Sequence, residues 1–248
     1  MTDITSLSNS KLERPETLTS LAQKRLEQLI FNGALVPGEK VNEAVIASQI
    51  GFSRGPVREA CSALVGEGLL VSIPQRGVFV RTFTNSEISD LYDIRGHLGL
   101  MVGKLAAETK GHDHISELST LLKRMKASVE EDEETSYFRL TIRFNDSFLT
   151  AAGNSELTKI YRRITRSIRL YRMEHLHLAR KTAERNHWLK ASFQASINQR
   201  EQFLNALKKR DGNLAGALLR RHAEDSRQRT QELVARSGDV SIEKHLKP

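Results

Sequence analysis

Apolar residues first recur at three- and four-residue spacing from Leu18 through Leu21, Ala22, Leu26, Leu29 and Ile30. That period predicts an amphipathic helix stopping at Asn32-Gly33. After the turn Pro37-Gly38, Asn42 can cap a short second helix carrying Val45, Ile46 and Ile50, and Gly51 supplies its stop. Ser53 then caps a third helix, in which Pro56 is accommodated because first-turn amides have no intrahelical acceptor. The apolar stripe of this helix is Val57, Ala60, Cys61 and Leu64, while Arg54, Arg58 and Ser62 share the opposite face. Gly66 and Gly68 interrupt the helical period, and Leu69 to Ile73 and Val78 to Val80 read as strands around the turn Pro74-Gln75-Arg76-Gly77. Three helices followed by a hairpin form a winged-helix pattern.

Beyond Phe83 strand signals cease and long helical periods run to the end. Thr84 with Glu87 is a capping box opening a helix through Ile88, Leu91, Ile94, Leu98, Met101 and Leu105. Further helices are predicted over 113–129, 135–151, 155–178, 182–210 and 213–236, with the acidic run Glu130 to Glu134 as a solvated connection. The expected fold is mainly α: an N-terminal winged helix-turn-helix over 17–82 and a C-terminal all-helical bundle over 83–237. Residues 1–16 and 238–248 read as tails.

The chain has 248 residues, with 38 Lys and Arg against 30 Asp and Glu, a net charge of +8. Up to position 82 there are 9 basic and 8 acidic residues, so the excess lies in the helical part and not in the winged-helix pattern. Cys61 stands alone, which excludes an intrachain disulfide. No run of about 18 apolar residues occurs and the start lacks a signal peptide's apolar stretch. A cytoplasmic protein without membrane contact is expected. No nucleophile elbow or phosphate loop is present, which argues against an enzyme.

A helix enters the major groove when its exposed face matches base edges, and an Arg fork donates two parallel bonds to guanine. Arg54 and Arg58 provide that face, and in a winged-helix protein the hairpin tip would set Arg76 beside phosphate or minor groove, with Gly77 permitting close approach. The stretches Asn32 to Glu39, Gly51 to Ala60, Leu64 to Leu69 and Pro74 to Gly77 together resemble the DNA-binding signature of GntR-family transcription regulators. The resemblance implies that Arg54 and Arg58 read bases of double-stranded DNA, while Ser53, Gly55, Arg76 and Gly77 position the helix and wing. Gly55 stands where Thr is common in the family.

The second part resembles the FadR branch of that family, whose ligand-binding domain is called FCD, at Asp90 to Arg95, Leu105 to Ala107, Phe144 to Asn154, Ala206 to Asp211 and Ala217 to His222. Most members hold a divalent metal with one Asp and three His. Alignment puts those positions at Thr141, Asn145, Arg200 and His222, so only His222 keeps the expected residue and no metal is expected. Arg200 falls within the apolar stripe of Ile197, Phe203 and Leu204, and Arg95 lies between Leu91, Leu98 and Val102. A buried guanidinium demands an anion. Arg95 and Arg200 are therefore expected to bind an effector carboxylate or phosphate, with Thr141, Asn145 and His222 adding neutral hydrogen bonds. An internal ion pair of Arg200 with Glu201 or Glu174 is the competing reading.

Residues 159–190 hold 10 basic and 2 acidic side chains. Arg162, Arg166 and Arg169 on one face are expected to form a solvated stripe paired with the acidic run, the other possibility being phosphate gathered beside the wing. His112, His114, His175 and His177 are expected at the surface. The function expected is a metabolite-responsive repressor, a homodimer on a palindromic operator released or engaged by a small anionic effector. The alternatives are an effector-independent repressor whose helical domain only dimerises and, further off, an enzyme acting on a small acid.

Overall fold

The computed structural model describes residues 17–109, 113–179 and 182–237; both predicted tails and His112 lie outside them. The first unit comprises α1 (Leu18–Phe31), α2 (Glu43–Ile50), α3 (Arg54–Gly66) and the antiparallel strands β1 (Leu70–Ile73) and β2 (Gly77–Val80). Thr17 caps α1 by accepting from the Ser20 amide at 3.1 Å, and Asn42 caps α2 through the Ala44 and Val45 amides. Ser53 occupies the cap position of α3 but makes no capping hydrogen bond with its side chain, which corrects the sequence expectation. The cause is local: the third helical residue is Pro56, which has no amide hydrogen to offer. The hairpin pairs Leu70 with Val80 and Ile73 with Gly77. A bridge from Lys40 to Phe79 adds the segment before α2 to the other edge of β2.

The second unit is α4 (Asn85–Glu108), α5 (Asp113–Glu130), α6 (Glu134–Ala152), α7 (Ser155–Leu178), α8 (Ala183–Lys208) and α9 (Gly212–Ser237). The Thr84–Glu87 capping box opens α4, Asn154 caps α7, and Thr182 caps α8. Gly153, at φ 66°, stops α6 in the left-handed region. None of the described helices is long and apolar enough to cross a membrane.

The core of the winged helix, centred on Ala22, Leu26, Val57, Ala60 and Leu64, continues into Ile88 and Tyr92 of α4 and Ile164, Ile168 and Tyr171 of α7. α7 thus belongs to both units. Its basic stripe is not a solvated face paired with the acidic run. Arg162 bonds Asp146 at 2.7 Å, Arg166 bonds Glu27 of α1 at 3.2 Å and also Glu67 at the end of α3, and Arg169 lies 3.8 Å over the Phe31 ring. The acidic run instead meets the start of α8, Asp132 to Lys190 at 3.0 Å and Glu134 to Arg185 at 3.5 Å. His175 is buried, its Nδ1 2.9 Å from Ser237 Oγ, because it follows the apolar period of α7 and not the surface expected for it.

Helices α4 and α9 run antiparallel and come backbone to backbone around Gly103 and Gly216. A Cβ on Gly103 would sit 2.4 Å from the Gly216 amide nitrogen, and one on Gly216 would sit 2.6 Å from the Leu100 carbonyl oxygen. Backbone cannot yield as a flexible side chain does, so overpacking here costs at the upper end of its usual range. Gly103→Ala should therefore destabilise the protein by about 3 kcal/mol in calorimetry. Gly55→Ala, with open space around its Cβ, should be neutral or up to about 1 kcal/mol more stable. Equal melting temperatures for the two variants would contradict the contact.

Candidate functional site

Two sets of cations stand out, one exposed and one buried. On the first unit Ser53, Arg54, Gly55 and Arg58 are all exposed along the N-terminal half of α3. The carboxylate of Glu59 is drawn away from them by Thr19, whose hydroxyl donates to it at 2.6 Å. At the hairpin tip Arg76 and Gly77 are exposed, Gln75 holds φ 61° and Gly77 φ 104°. A Cβ on Gly77 would press on the Lys40 side chain at 3.2 Å. Lys40 thus joins the wing, a residue the sequence reading missed because 37 positions separate it from Gly77 and only the Lys40–Phe79 bridge brings them together. Arg54, Arg58 and Arg76 have no carboxylate within 4 Å among the described residues. Thus three guanidinium groups are open to solvent on one helix face and the adjoining wing, which suits phosphate and base edges.

The buried set lines a cavity of about 100 Å³ enclosed by α4, α6, α7, α8 and α9. All five residues expected at the effector site reach it: Arg95, Thr141, Asn145, Arg200 and His222. Three further arginines line it, Arg169 and Arg172 from α7 and Arg229 from α9, and no Asp or Glu does. The first of these was visible as part of the α7 stripe. Its separation from Arg162 and Arg166 depends on which neighbour each side chain meets.

Arg95 and Arg200 are only 7% and 6% exposed. Arg200 donates from Nη1 to the Ser196 carbonyl at 3.2 Å and to the Ser196 hydroxyl, and stands 5.6 Å from the Phe144 ring centre. Burial lowers its pKa. The ion pairs considered for it do not form: Glu201 is engaged by Lys126 at 3.0 Å, and Glu174 has a buried, unpartnered Oε2 and a carboxyl pushed up to about 7 by burial. Nε and Nη2 of Arg95, Oγ1 of Thr141 and Nε of Arg169 and Arg172 are buried without a hydrogen-bond partner. Unpaired buried donors are rare in native proteins, and those on cations are the most costly. Cys61 is no nucleophile, since burial raises its thiol to about 12.

Residues 18–80 match the family described as bacterial regulatory proteins, gntR family, and residues 90–225 match the FCD domain. This chain belongs to the GntR family of transcriptional regulators. The Nta operon transcriptional regulator of Aminobacter aminovorans is 30% identical over 165 residues, 60% of this chain and 76% of that protein. The gluconate operon transcriptional repressor of Bacillus subtilis (strain 168) is 22% identical over 208 residues, 84% and 83% of the two chains. Among solved structures, McbR/YncC of E. coli shares the fold with a TM-score of 0.73 at 22% identity, covering 87% of this chain and 98% of that one. As a GntR-family protein with an FCD domain, the chain is a regulator and not an enzyme.

In the FCD unit of this GntR-family regulator the four positions expected from the resemblance to correspond to metal ligands, Thr141, Asn145, Arg200 and His222, carry a hydroxyl, an amide, a guanidinium and one imidazole. That donor set does not fit a divalent cation, because a guanidinium repels it and the two neutral oxygens bind weakly. Among the described residues no group of three or more His, Cys, Asp or Glu is placed to hold a metal. The imidazole is itself constrained. Gln199 donates through Nε2 to Asp225, so its Oε1 accepts from His222 Nδ1 at 2.7 Å. Nδ1 carries the proton and Nε2 is left as an acceptor. Burial first, then Arg200, Arg95, Arg229 and Arg172, hold His222 well below the usual imidazole range. Below about pH 6.5 the unfolded chain takes up a proton that folded His222 refuses, so its stabilising contribution is complete above that pH and fades as pH falls. The stability difference between wild type and His222→Gln should shrink by roughly 1.5 kcal/mol from pH 6.5 to pH 5 in urea titrations. Parallel stability curves would contradict this environment.

Proposed function

We propose that the protein is a cytoplasmic, one-component repressor of a catabolic operon, a homodimer that reads a palindromic operator and responds to a small anion. Two-fold symmetry in the dimer would match two-fold symmetry in the site. Arg54 and Arg58 read base edges in the major groove, while Ser53, Gly55, Arg76 and Gly77 set the helix and wing on the backbone and groove. The effector sits in the FCD cavity without a metal, gripped by Arg95 and Arg200 and hydrogen-bonded by Thr141, Asn145 and His222. The observation that carries this reading is the division of arginines without carboxylate partners between an exposed helix face and an internal cavity whose lining holds no Asp or Glu. A domain kept only for dimerisation would bury those donors to no purpose.

α7 supports a coupling route. Arg169 and Arg172 line the cavity, while Arg166 holds Glu27 and Glu67, and a Cβ on Gly68 would sit 3.4 Å from Arg163 Nε and 3.5 Å from Ser167 Oγ. A shift of α7 on ligand binding would therefore move the end of α3.

With an operator selected by the protein from random duplexes, Arg58→Ala should lower the preference for operator over random DNA by about 1 to 3 kcal/mol in anisotropy titrations, with circular dichroism unchanged. An unaltered preference would sink the assignment of α3. Arg166→Ala should leave ligand binding in place and reduce the ligand's effect on operator affinity from the roughly 5- to 150-fold usual for such coupling toward none. A full response in that variant would rule out the α7 route.

A further inference from the structure

Most of the surface of α4 is covered by its own chain. Ile88 and Tyr92 enter the winged-helix core, Val102, Ala106 and Ala107 enter the bundle core, and Gly96, Gly99 and Gly103 lie against α9. One side is left open. Along it Asp90, Ile94, His97, Met101 and Lys104 follow one another at alternating steps of four and three residues, all exposed, with Leu100 beside Met101. Steps of that kind keep side chains on one line along a helix. Ile94 is 48% exposed, Leu100 37% and Met101 49%. Other large apolar side chains open to solvent, Leu18, Val71, Ile160 and Leu214 among them, stand on other elements. Single exposed apolar residues are ordinary on a protein surface, whereas a group of them rimmed by polar residues marks an interaction site.

The charges on this side have an order that selects the partner. Asp90 and Lys104 stand seven residues either side of His97, and Ile94 and Leu100 stand three residues either side. Neither Asp90 nor Lys104 has an ion-pair partner among the described residues, and the nearby Asp93 is taken by Arg227 at 2.7 Å. His97 is tied to its own helix, its Nδ1 donating to the Asp93 carbonyl at 2.8 Å. An identical helix laid antiparallel about a two-fold axis at His97 sets Ile94 against Leu100, with Met101 alongside, and Asp90 against Lys104. Each pairing then occurs twice. A copy laid parallel in register would set Asp90 on Asp90 and Lys104 on Lys104, which repel. A surface that matches itself when turned by half a revolution is what a two-fold interface requires.

Resting on the homodimer reading above, we infer that the open side of α4 is the two-fold interface, where a second copy of this chain packs α4 on α4, antiparallel about His97. The winged helix joins α4 at Thr84, next to the start of the helix at Asn85. Antiparallel pairing therefore sends the two DNA-reading units to opposite sides of the axis, as a palindromic site demands.

Sedimentation velocity of the full chain over a concentration series yields the dimer Kd. Ile94→Glu combined with Met101→Glu should raise it at least about 100-fold, because each apolar anchor is lost twice across a two-fold interface. Ile160→Glu, at an exposed site of α7, should leave it unchanged. Asp90→Lys or Lys104→Asp alone should raise Kd roughly 3- to 10-fold, and the two in one chain should restore it. His97→Cys should be joined to its own copy by a short bismaleimide, since packed helices run about 8 to 10 Å apart, while wild type, whose Cys61 is buried, and Ile160→Cys should not. A dimer that survives the double Glu change, or a His97→Cys chain that fails to crosslink, overturns the α4 interface and leaves the homodimer reading standing. A wild type that stays monomeric at every concentration overturns both, and gives this side of α4 to another occupant. Should the double Glu variant not fold by circular dichroism, the crosslink and the charge exchange decide.

Discussion

The close approach of α4 and α9 is the constraint on which the second unit rests. Where Gly103 meets Gly216 and Gly99 meets Leu219, the helices touch backbone to backbone. Dispersion scales with the number of atoms at contact distance, so such an approach supplies dense packing without bulky side chains. It also sets the register of one helix on the other, placing Arg95 of α4 beside His222, Ser226 and Arg229 of α9 on one cavity wall. The aromatic packing of the bundle, with Tyr137 stacked on Phe193 at 4.0 Å and Phe148 edge-on to Phe203 at 5.4 Å, closes the remaining sides. Buried cations tolerated inside this frame carry a desolvation cost that the packing around them must offset.

α7 links that cavity to the DNA-reading unit because its faces are distributed between two cores. Leu157 and Tyr161 belong to the bundle, and Ile164, Ile168 and Tyr171 belong to the winged-helix core. Its arginines divide in the same way: Arg166 closes on Glu27 and Glu67, while Arg169 touches the cavity on one side and Phe31 on the other. Partial burial screens the Arg166 contacts less than a surface pair. Burial also raises the pKa of Glu27, the opposing pull of Arg166 notwithstanding. These pairs tie α7 to the ends of α1 and α3.

On the exposed face of α3, two small local facts matter. Pro56 deprives Ser53 of its usual backbone partner, leaving an exposed hydroxyl at the start of a helix whose free amides favour anions. Thr19 holds Glu59, so that the carboxylate next to Arg58 is turned toward α1.

Much of the fold was legible along the chain, because helical periods, caps such as Thr84 with Glu87 and stops such as Gly51 and Gly153 are local features. The same holds for the outward face of α3, since Arg54 and Arg58 share a face once the helix is recognised. The five cavity residues expected from alignment and apolar context also converge. What could not be read was the partner of each charge. Arg162, Arg166 and Arg169 look alike in sequence, yet they meet a carboxylate of α6, a pair of carboxylates on the winged helix, and an aromatic ring beside the cavity. Lys40 joined the wing for the same reason. Periodicity determines which side of its own helix a residue occupies, but the tertiary structure alone decides what stands opposite. Charge pairing depends on distances between segments far apart in sequence, and those distances are set by how the helices pack.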